Sequence, residues 1–199
     1  MSDSPVDSGR RNWVALTAGA GAIGGVTAAV PFVSSFLPSE RAKAAGAAVE
    51  ADISSLKPGE KMTVEWRGKP VWVVRRTKEQ LDSLKKTEAE VADPKSLRNP
   101  GELTPSYARN EHRAIKPEYF VAVGICSHLG CSPSDKLQPG AQPSLPDDWQ
   151  GGFLCPCHGS TFDLAGRVFK NKPAPDNLEV PPHMYLSDTL LLIGEDKKA

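Results

Sequence analysis

The chain has 199 residues, enough for one ordinary domain with extensions but too few for two full domains. Its 24 basic and 24 acidic side chains balance, which argues against a polyanion-binding surface and therefore against most nucleic-acid-binding functions. Hydrophobic residues make up 39% and charged residues 24%, as in ordinary globular proteins, so wholesale disorder is excluded.

The N-terminal region contains no charged residue between Asn12 and Ser39, and its apolar stretch 13–37 predicts a transmembrane anchor. About 25 helical residues span about 37 Å, more than the roughly 30 Å of a hydrocarbon core. Arg10 and Arg11 precede the stretch and favour a cytoplasmic N-terminus. Paired arginines are also typical of a twin-arginine export signal. A cleaved signal peptide and a flexible leader are alternatives, but the stretch exceeds the signal-peptide core of about 7–15 residues.

The next segment, 38–50, is rich in alanine and has no apolar face to bury. We interpret it as a flexible tether between the anchor and a globular head. The predicted organisation is therefore a cytoplasmic N-terminus over 1–12, an anchor over 13–37, this tether, and a head over 51–199.

The first part of the head contains two local sequence patterns, one typical of a hairpin and one typical of a helix. Apolar runs at Met62–Trp66 and Val71–Arg75, joined by Arg67-Gly68-Lys69, predict a β-hairpin. The stretch Thr77–Lys86 predicts a helix, because Thr77 and Gln80 match a capping box and the leucines that follow share one face.

The rest of the head is dominated by strand and turn patterns. Residues 87–117 are polar and predict irregular structure, whereas Tyr119–Ile125 predicts an apolar strand that leads into the first cysteine. The segment between Cys131 and Cys155, rich in proline and glycine, predicts a surface excursion. Four short segments after Cys157 predict further strands, at 166–169, 178–180, 184–186 and 189–193. The sequence thus favours an antiparallel all-β head.

All four cysteines and two of the four histidines lie in two short boxes, 126–131 and 155–160. The first contains the pattern C-x-H and the second C-x-x-H, so each offers a thiolate and an imidazole within reach of one metal site. From the residues alone three interpretations stay open. They are buried thiols beside ordinary histidines, a zinc site that leaves two cysteines idle, and a [2Fe–2S] cluster with two cysteines on one iron and two histidines on the other.

The boxes resemble the C-x-H-x-G-C and C-P-C-H-G-S signatures of Rieske iron–sulfur proteins. This resemblance implies an all-β Rieske-type head of antiparallel sheets with a small cluster-binding subdomain, its loops within about residues 120–176, on a single N-terminal transmembrane helix. It implies one [2Fe–2S] cluster, a disulfide between Cys131 and Cys157, and a hydrogen bond from Ser160 to the cluster. The metal ligands that it implies are Cys126 and Cys155 on the inner iron and His128 and His158 on the outer iron.

A cluster held by two thiolates and two imidazoles is suited to accept electrons from a mild reductant. An oxidised [2Fe–2S] core carries two positive charges, so two thiolates leave it neutral, whereas four would leave it negative and repel an added electron. Neutral imidazoles therefore raise the reduction potential to roughly −150 to +300 mV, against about −400 mV for plant-type ferredoxins. A quinol is a reductant of suitable strength, and by resemblance His158 is the quinol-facing residue.

With the anchor and the boxes, the long stretch 77–117 and the Pro173-Ala174-Pro175 loop resemble the bacterial Rieske subunits of cytochrome bc1 complexes, the proton-translocating quinol–cytochrome c reductases. This implies a subunit that accepts an electron and a proton from ubiquinol and passes the electron to cytochrome c1. The implied partners are cytochrome b, cytochrome c1, ubiquinol and membrane lipid in a dimeric complex of the inner membrane, with the head in the periplasm. Alternatives are the Rieske subunit of another exported oxidoreductase, such as arsenite oxidase, and a soluble Rieske ferredoxin.

The chain departs from the family pattern at two positions. Phe162 stands where many respiratory members have tyrosine, which removes a hydroxyl donor to sulfur and predicts a lower potential. Lys172-Pro173-Ala174-Pro175 resembles the proline loop that shields the cluster, but Lys172 replaces the usual glycine. The other two histidines, His112 and His183, are expected to be surface or partly packed residues and not ligands.

Overall fold

The computed structural model describes residues 8–37, 39, 46–98 and 103–196. Most of the predicted tether 38–50 and the first seven residues of the predicted segment 1–12 lie outside these ranges. The chain divides into two compact units, residues 1–44 and 45–199.

The first unit contains one long helix, α1, which runs over Ser8–Ser34. Its most apolar 18-residue window has a mean hydropathy of 1.6 and no residue of the helix is buried, so α1 could cross a membrane by length and composition. The helix includes both arginines in its first turn and ends three residues before the predicted end of the anchor at 37. Pro31 lies within it, where the ring removes one backbone donor.

The second unit is the head, and it contains three antiparallel sheets of three strands each. The first sheet has the order β1-β9-β8, the second β2-β3-β4 and the third β5-β6-β7. Among the described residues of the head, one helix, α2, and one 3₁₀ turn accompany the sheets. The elements are β1 (Val49–Asp52), β2 (Lys61–Trp66), β3 (Lys69–Arg75), α2 (Lys78–Thr87), the 3₁₀ turn (Ser106–Ala108), β4 (Tyr119–Val123), β5 (Ser134–Lys136), β6 (Gly152–Leu154), β7 (Thr161–Asp163), β8 (His183–Tyr185) and β9 (Leu190–Ile193).

Both local predictions at the start of the head are confirmed. β2 and β3 pair from Lys61 with Val74 to Trp66 with Lys69, and a two-residue turn joins them. Arg67 and Gly68 both have positive φ, 52° and 71°, as a hairpin turn that matches the strand twist requires. In α2 the Thr77 hydroxyl accepts a hydrogen bond from the Gln80 amide while the Gln80 side chain accepts one from the Thr77 amide.

Strands β3 and β4 of the middle sheet are buried on both faces, which explains their continuous apolar runs. Val71 and Val73 face a core shared with the first sheet. Trp72 and Val74, which alternate with them, face a second core that contains Cys126, Cys155 and residues of the third sheet. Strand residues alternate between faces, so one strand serves both cores. The middle sheet therefore carries the cysteine-containing half of the head.

Four segments differ from the sequence-based expectation. The segment 166–169 forms only isolated bridges, Val91 with Phe169 and Phe162 with Val168, and not a strand. β1 begins at Val49, inside the predicted tether, because its partner is β9 near the other end of the chain. The expected surface excursion is wrong in part, since it contributes β5 and β6, and Trp149 within it is only 3% exposed. The segment 178–180 joins no ladder; instead the Val180 amide donates to the Leu103 carbonyl.

His183 is buried, at 1% exposure, rather than at the surface or partly packed as expected. Its backbone amide donates to the Tyr107 hydroxyl, and its Nδ1 lies 2.8 Å from the Pro181 carbonyl oxygen. Burial lowers the pKa of His183 below 6.5, although the Pro181 carbonyl and Asp196 oppose the shift. The ring is therefore held neutral in the folded head.

We expect the free energy of unfolding of the full chain in detergent to fall as the pH drops below 6.5, the ordinary histidine pKa. Between that value and the lowered pKa of folded His183, the unfolded chain binds the extra proton. The contribution is at most about 1.4 kcal/mol per pH unit. Denaturation across this range should give a flatter slope for His183→Gln, and an equal slope would contradict the prediction. His112, whose pKa burial also lowers, is common to both proteins.

Candidate metal centre

Two loops of the same backbone design form the tip of the cysteine-containing half. In the first, the Gly130 amide donates to the Cys126 carbonyl (3.1 Å); in the second, the Gly159 amide donates to the Cys155 carbonyl (3.0 Å). Each loop is also closed by the cysteine's own amide, which donates to the carbonyl five residues on. Gly130 and Gly159 have φ of 83° and 75°, a region that glycine adopts without strain. The boxes therefore fold as a matched pair.

Cys126 and Cys155 are the two free thiols, and each is 2% exposed. Burial raises the pKa of the Cys126 thiol, and the neighbouring Cys155 thiol raises it further. The His128 amide and the Ser160 hydroxyl donate to the Cys126 sulfur and act in the opposite direction. Both interactions favour the thiolate, which is the form that binds a metal.

The two box histidines lie beside each other at the surface of the tip. The ring centroids of His128 and His158 are 4.8 Å apart, with the planes nearly perpendicular at 88°. His158 is exposed, whereas His128 is half-buried. The Nδ1 of His128 is buried and has no hydrogen-bond partner. A buried ring nitrogen without a partner is costly, and a metal ion would satisfy it.

The predicted disulfide is confirmed: Cys131 and Cys157 are bonded and link the two loops. Both of their sulfurs lie within 4.8 Å of the Cys155 sulfur. Disulfide sulfurs offer no thiolate, so these three atoms do not form a ligand set. The free donors of the tip are then two buried thiols and two imidazoles, which fit the two-sulfur, two-nitrogen ligation of a Rieske cluster.

Hydrogen bonds from both cysteine loops to the segment 172–176, which contains the prolines, were not predicted from the sequence. We call these bonds the clasp. The Ser127 hydroxyl donates to the Asp176 carbonyl (2.7 Å) and accepts from the Asp176 amide (3.3 Å). From the second loop, the Ser160 hydroxyl accepts from the Ala174 amide (3.0 Å). The only sequence signal for Ser127 was its place between two predicted ligands. One hydroxyl from each loop is thus hydrogen-bonded to the segment 174–176.

Phe162 is fully buried in the core that contains both free cysteines. We expect Phe162→Tyr to raise the reduction potential, because a hydroxyl that donates to sulfur favours the reduced, more negative state. Redox titration of the purified chain measures this. Thermal unfolding provides the control, since a buried hydroxyl that finds no acceptor would cost about 1–3 kcal/mol. An unchanged potential, with or without lost stability, would refute the role of this position.

The remaining histidines are not at the tip. His112 Nε2 lies 3.1 Å from a carboxylate oxygen of Glu111, and His183 lies in β8. The expectation that neither joins the ligand boxes agrees with these positions.

The known proteins with similar sequences belong to one family. A family model for the Rieske [2Fe-2S] domain matches residues 47–182. The chain is 57% identical over 188 residues to the ubiquinol-cytochrome c reductase iron-sulfur subunit of Allochromatium vinosum, covering 94% of this chain and 89% of that protein. It is 39% identical over 186 residues to the subunit of that name in Bradyrhizobium diazoefficiens, covering 93% and 94%. A chain of a solved hyperthermophilic respiratory Complex III is 27% identical with a TM-score of 0.49, covering 89% and 98%.

The family match selects the iron–sulfur interpretation over the zinc site and over unligated thiols. The similarity also extends along nearly the whole chain, including residues outside the cluster-binding part. This chain therefore belongs to the Rieske [2Fe-2S] family and, within it, to the ubiquinol-cytochrome c reductase iron-sulfur subunits.

Proposed function

We propose that this chain is the electron-transfer subunit of a quinol–cytochrome c reductase. The observation that carries the proposal is its 57% identity, over 94% of its length, to an iron–sulfur subunit of that name. The arrangement of the tip supports it, because buried thiols lie beneath imidazoles that reach the surface. When bound, the cluster supplies one-electron redox chemistry at this tip.

The ligands in this proposal are Cys126 and Cys155 on the inner iron and His128 and His158 on the outer iron. Exposure supports the division, since both thiols are 2% exposed and the histidines lie nearer to solvent. The unpartnered Nδ1 of His128 supports its assignment as a nitrogen ligand. The loop bonds and the disulfide between Cys131 and Cys157 hold these donors in position.

His158 is the residue proposed to face ubiquinol. Its exposed imidazole can hydrogen-bond a quinol hydroxyl and hold the proton at the ring nitrogen that does not face the metal. Both cysteines are buried, which keeps water from the sulfur side of the site. Proton uptake and electron uptake would then occur at one tip, and the Ser160 hydroxyl would support the sulfur side by donating to it.

The proposal extends to the complex. Helix α1 would anchor the subunit in the inner membrane beside cytochrome b, with Arg10 and Arg11 on the cytoplasmic side and the head in the periplasm. The head would carry the electron to cytochrome c1 in a dimeric complex. The quinol oxidation would thus be a reaction of the whole reductase, in which this chain is the first electron acceptor.

Purification of the tagged full chain from its own membranes in mild detergent tests the proposal. We expect haem b and haem c spectra in the eluate, and reduction of added cytochrome c by a ubiquinol analogue. Co-purification with a molybdenum-containing arsenite oxidase subunit, or with no haem protein, would contradict it. A variant that lacks residues 8–34 is the matched control, because it removes α1 and leaves the head sequence intact.

A further inference from the structure

One aromatic residue of the middle sheet contacts both strands that lead into the cysteine loops. Trp72 lies in β3, opposite Thr63 of β2 and Ala122 of β4. It is 3% exposed and belongs to the core that contains both free cysteines. Because β3 is paired on both sides, the backbone that carries this indole is held by ladder hydrogen bonds along each edge.

The first contact is with Gly124, two residues before Cys126. A Cβ atom at Gly124 would lie 2.2 Å from Cε2 of the Trp72 indole, 2.4 Å from its Nε1 and 2.5 Å from its Cζ2. Gly124 is not among the glycines of positive φ, so its backbone does not demand glycine. The missing side chain instead makes room for the indole, which lies directly against the backbone that enters the first loop.

The second contact is with Phe153, two residues before Cys155. The ring centroids of Trp72 and Phe153 are 5.0 Å apart and the planes are inclined by 25°, a stacked arrangement. A third contact connects Trp72 to β5 through Lys61. Lys61 Nζ lies 4.3 Å from the indole centroid and 2.6 Å from a carboxylate oxygen of Asp135, which lies in β5. One rigid side chain therefore touches the approach to each cysteine.

We propose that Trp72 is a positioning residue that sets the spacing of Cys126 and Cys155, and through it the geometry of the sulfur-ligated side of the cluster. The inference rests on the ligand assignment made under the proposed function. The two cysteines are far apart in sequence, and the disulfide joins the outer parts of their loops. Trp72 supplies the corresponding link at the inner ends, where β4 and β6 finish.

The test compares Trp72→Phe with Trp66→Phe in the purified full chain. Trp66 is a matched control because it is 4% exposed but lies in the other core. We expect Trp72→Phe to shift the g-values of the reduced-state electron paramagnetic resonance spectrum and to speed loss of visible absorption on heating by roughly tenfold. Trp66→Phe should lose stability without a spectral shift. Equal spectra for Trp72→Phe and the parent, or equal shifts in both variants, would overturn the proposal.

A double variant tests the contact between Gly124 and Trp72 directly. It also keeps the proposal testable if a single variant folds poorly. Gly124→Ala alone should lose most of its cluster, because the new Cβ meets the indole. Adding Trp72→Leu removes all three indole atoms that the new Cβ meets, Cε2, Nε1 and Cζ2, and should raise the cluster content above that of Gly124→Ala. If the double variant holds no more iron than Gly124→Ala, Trp72 does not act at this point and the proposal fails.

The two proposals fail in different ways. A parent chain that shows no Rieske-type resonance after anaerobic reconstitution removes the ligand assignment, and the positioning role with it. A parent chain with a normal resonance, together with variants that leave it unaltered, removes only the positioning role. Circular dichroism of each protein shows whether the head is folded when its spectrum is recorded.

Discussion

Cys155→Ser is expected to give a folded head without the visible absorption or the reduced-state resonance of a [2Fe–2S] cluster. Cys155 is 2% exposed and is one of only two free thiols among the described residues. A serine hydroxyl has almost the same shape, but it is a far weaker ligand because it stays protonated near neutral pH. Iron content per chain and far-ultraviolet circular dichroism measure the two parts of this expectation.

The matched control is Leu129→Ala. Leu129 lies in the first loop next to His128, is 72% exposed and carries no ligand atom, so iron content should stay at the parent level. Retention of a full cluster in Cys155→Ser would contradict the ligand assignment. Equal iron loss in both variants would mean that any change at the tip disturbs assembly, which would also remove the specific role of Cys155.

Asp163→Asn is expected to destabilise the head by about 3–5 kcal/mol, because it leaves buried cations without their carboxylate. Asp163 and Arg167 are each 1% exposed, and the Arg167 Nε donates to a carboxylate oxygen of Asp163 (2.7 Å). The same carboxylate accepts from the backbone amides of Ala165 and Arg167. Proteins are stable by only about 5–15 kcal/mol, so the loss is a large part of the total.

Loss of the Asp163 charge also affects two further buried arginines. Arg76 and Arg113 are also fully buried, with guanidinium groups that donate to backbone carbonyls. Burial lowers the pKa of Arg76 to about 9 and of Arg113 to about 10, and the negative charge of Asp163 opposes both shifts. Removing that charge therefore leaves three buried cations less well compensated. Thermal and denaturant unfolding of the full chain in detergent measure the loss.

Glu179→Gln is the control for the buried carboxylate. Lys69 Nζ and a Glu179 carboxylate oxygen are 3.4 Å apart, and both side chains reach solvent. An exposed pair contributes about 0–1 kcal/mol, so this change should be nearly neutral. Similar losses for the two substitutions would show that Asp163 is not acting as the counter-charge of the arginine cluster.

The cluster-binding loops could be anticipated because their signal is local. Each box places thiolate, imidazole and glycine within six residues, and the loop bonds run within the same residues. The residues of the boxes do not by themselves determine the order of burial, which only the family resemblance implied. This order depends on the core beneath them, which makes Cys126 inaccessible and leaves His158 exposed. The clasp between Ser127 and Asp176 was missed because its partners are 49 residues apart.

By itself the sequence determined the β2–β3 hairpin, the capped helix α2, the apolar segment that forms α1, and the two ligand boxes. These depend on turn residues, caps and spacings within a few positions of each other, so nearby residues carry the information. Only the tertiary structure decided that Val49 pairs with Ile193, that Trp72 stacks on Phe153, and that Arg76, Arg113 and Arg167 are buried. Such contacts join distant segments, and a buried arginine has no local pattern because its partners are carbonyls and a carboxylate that folding brings to it.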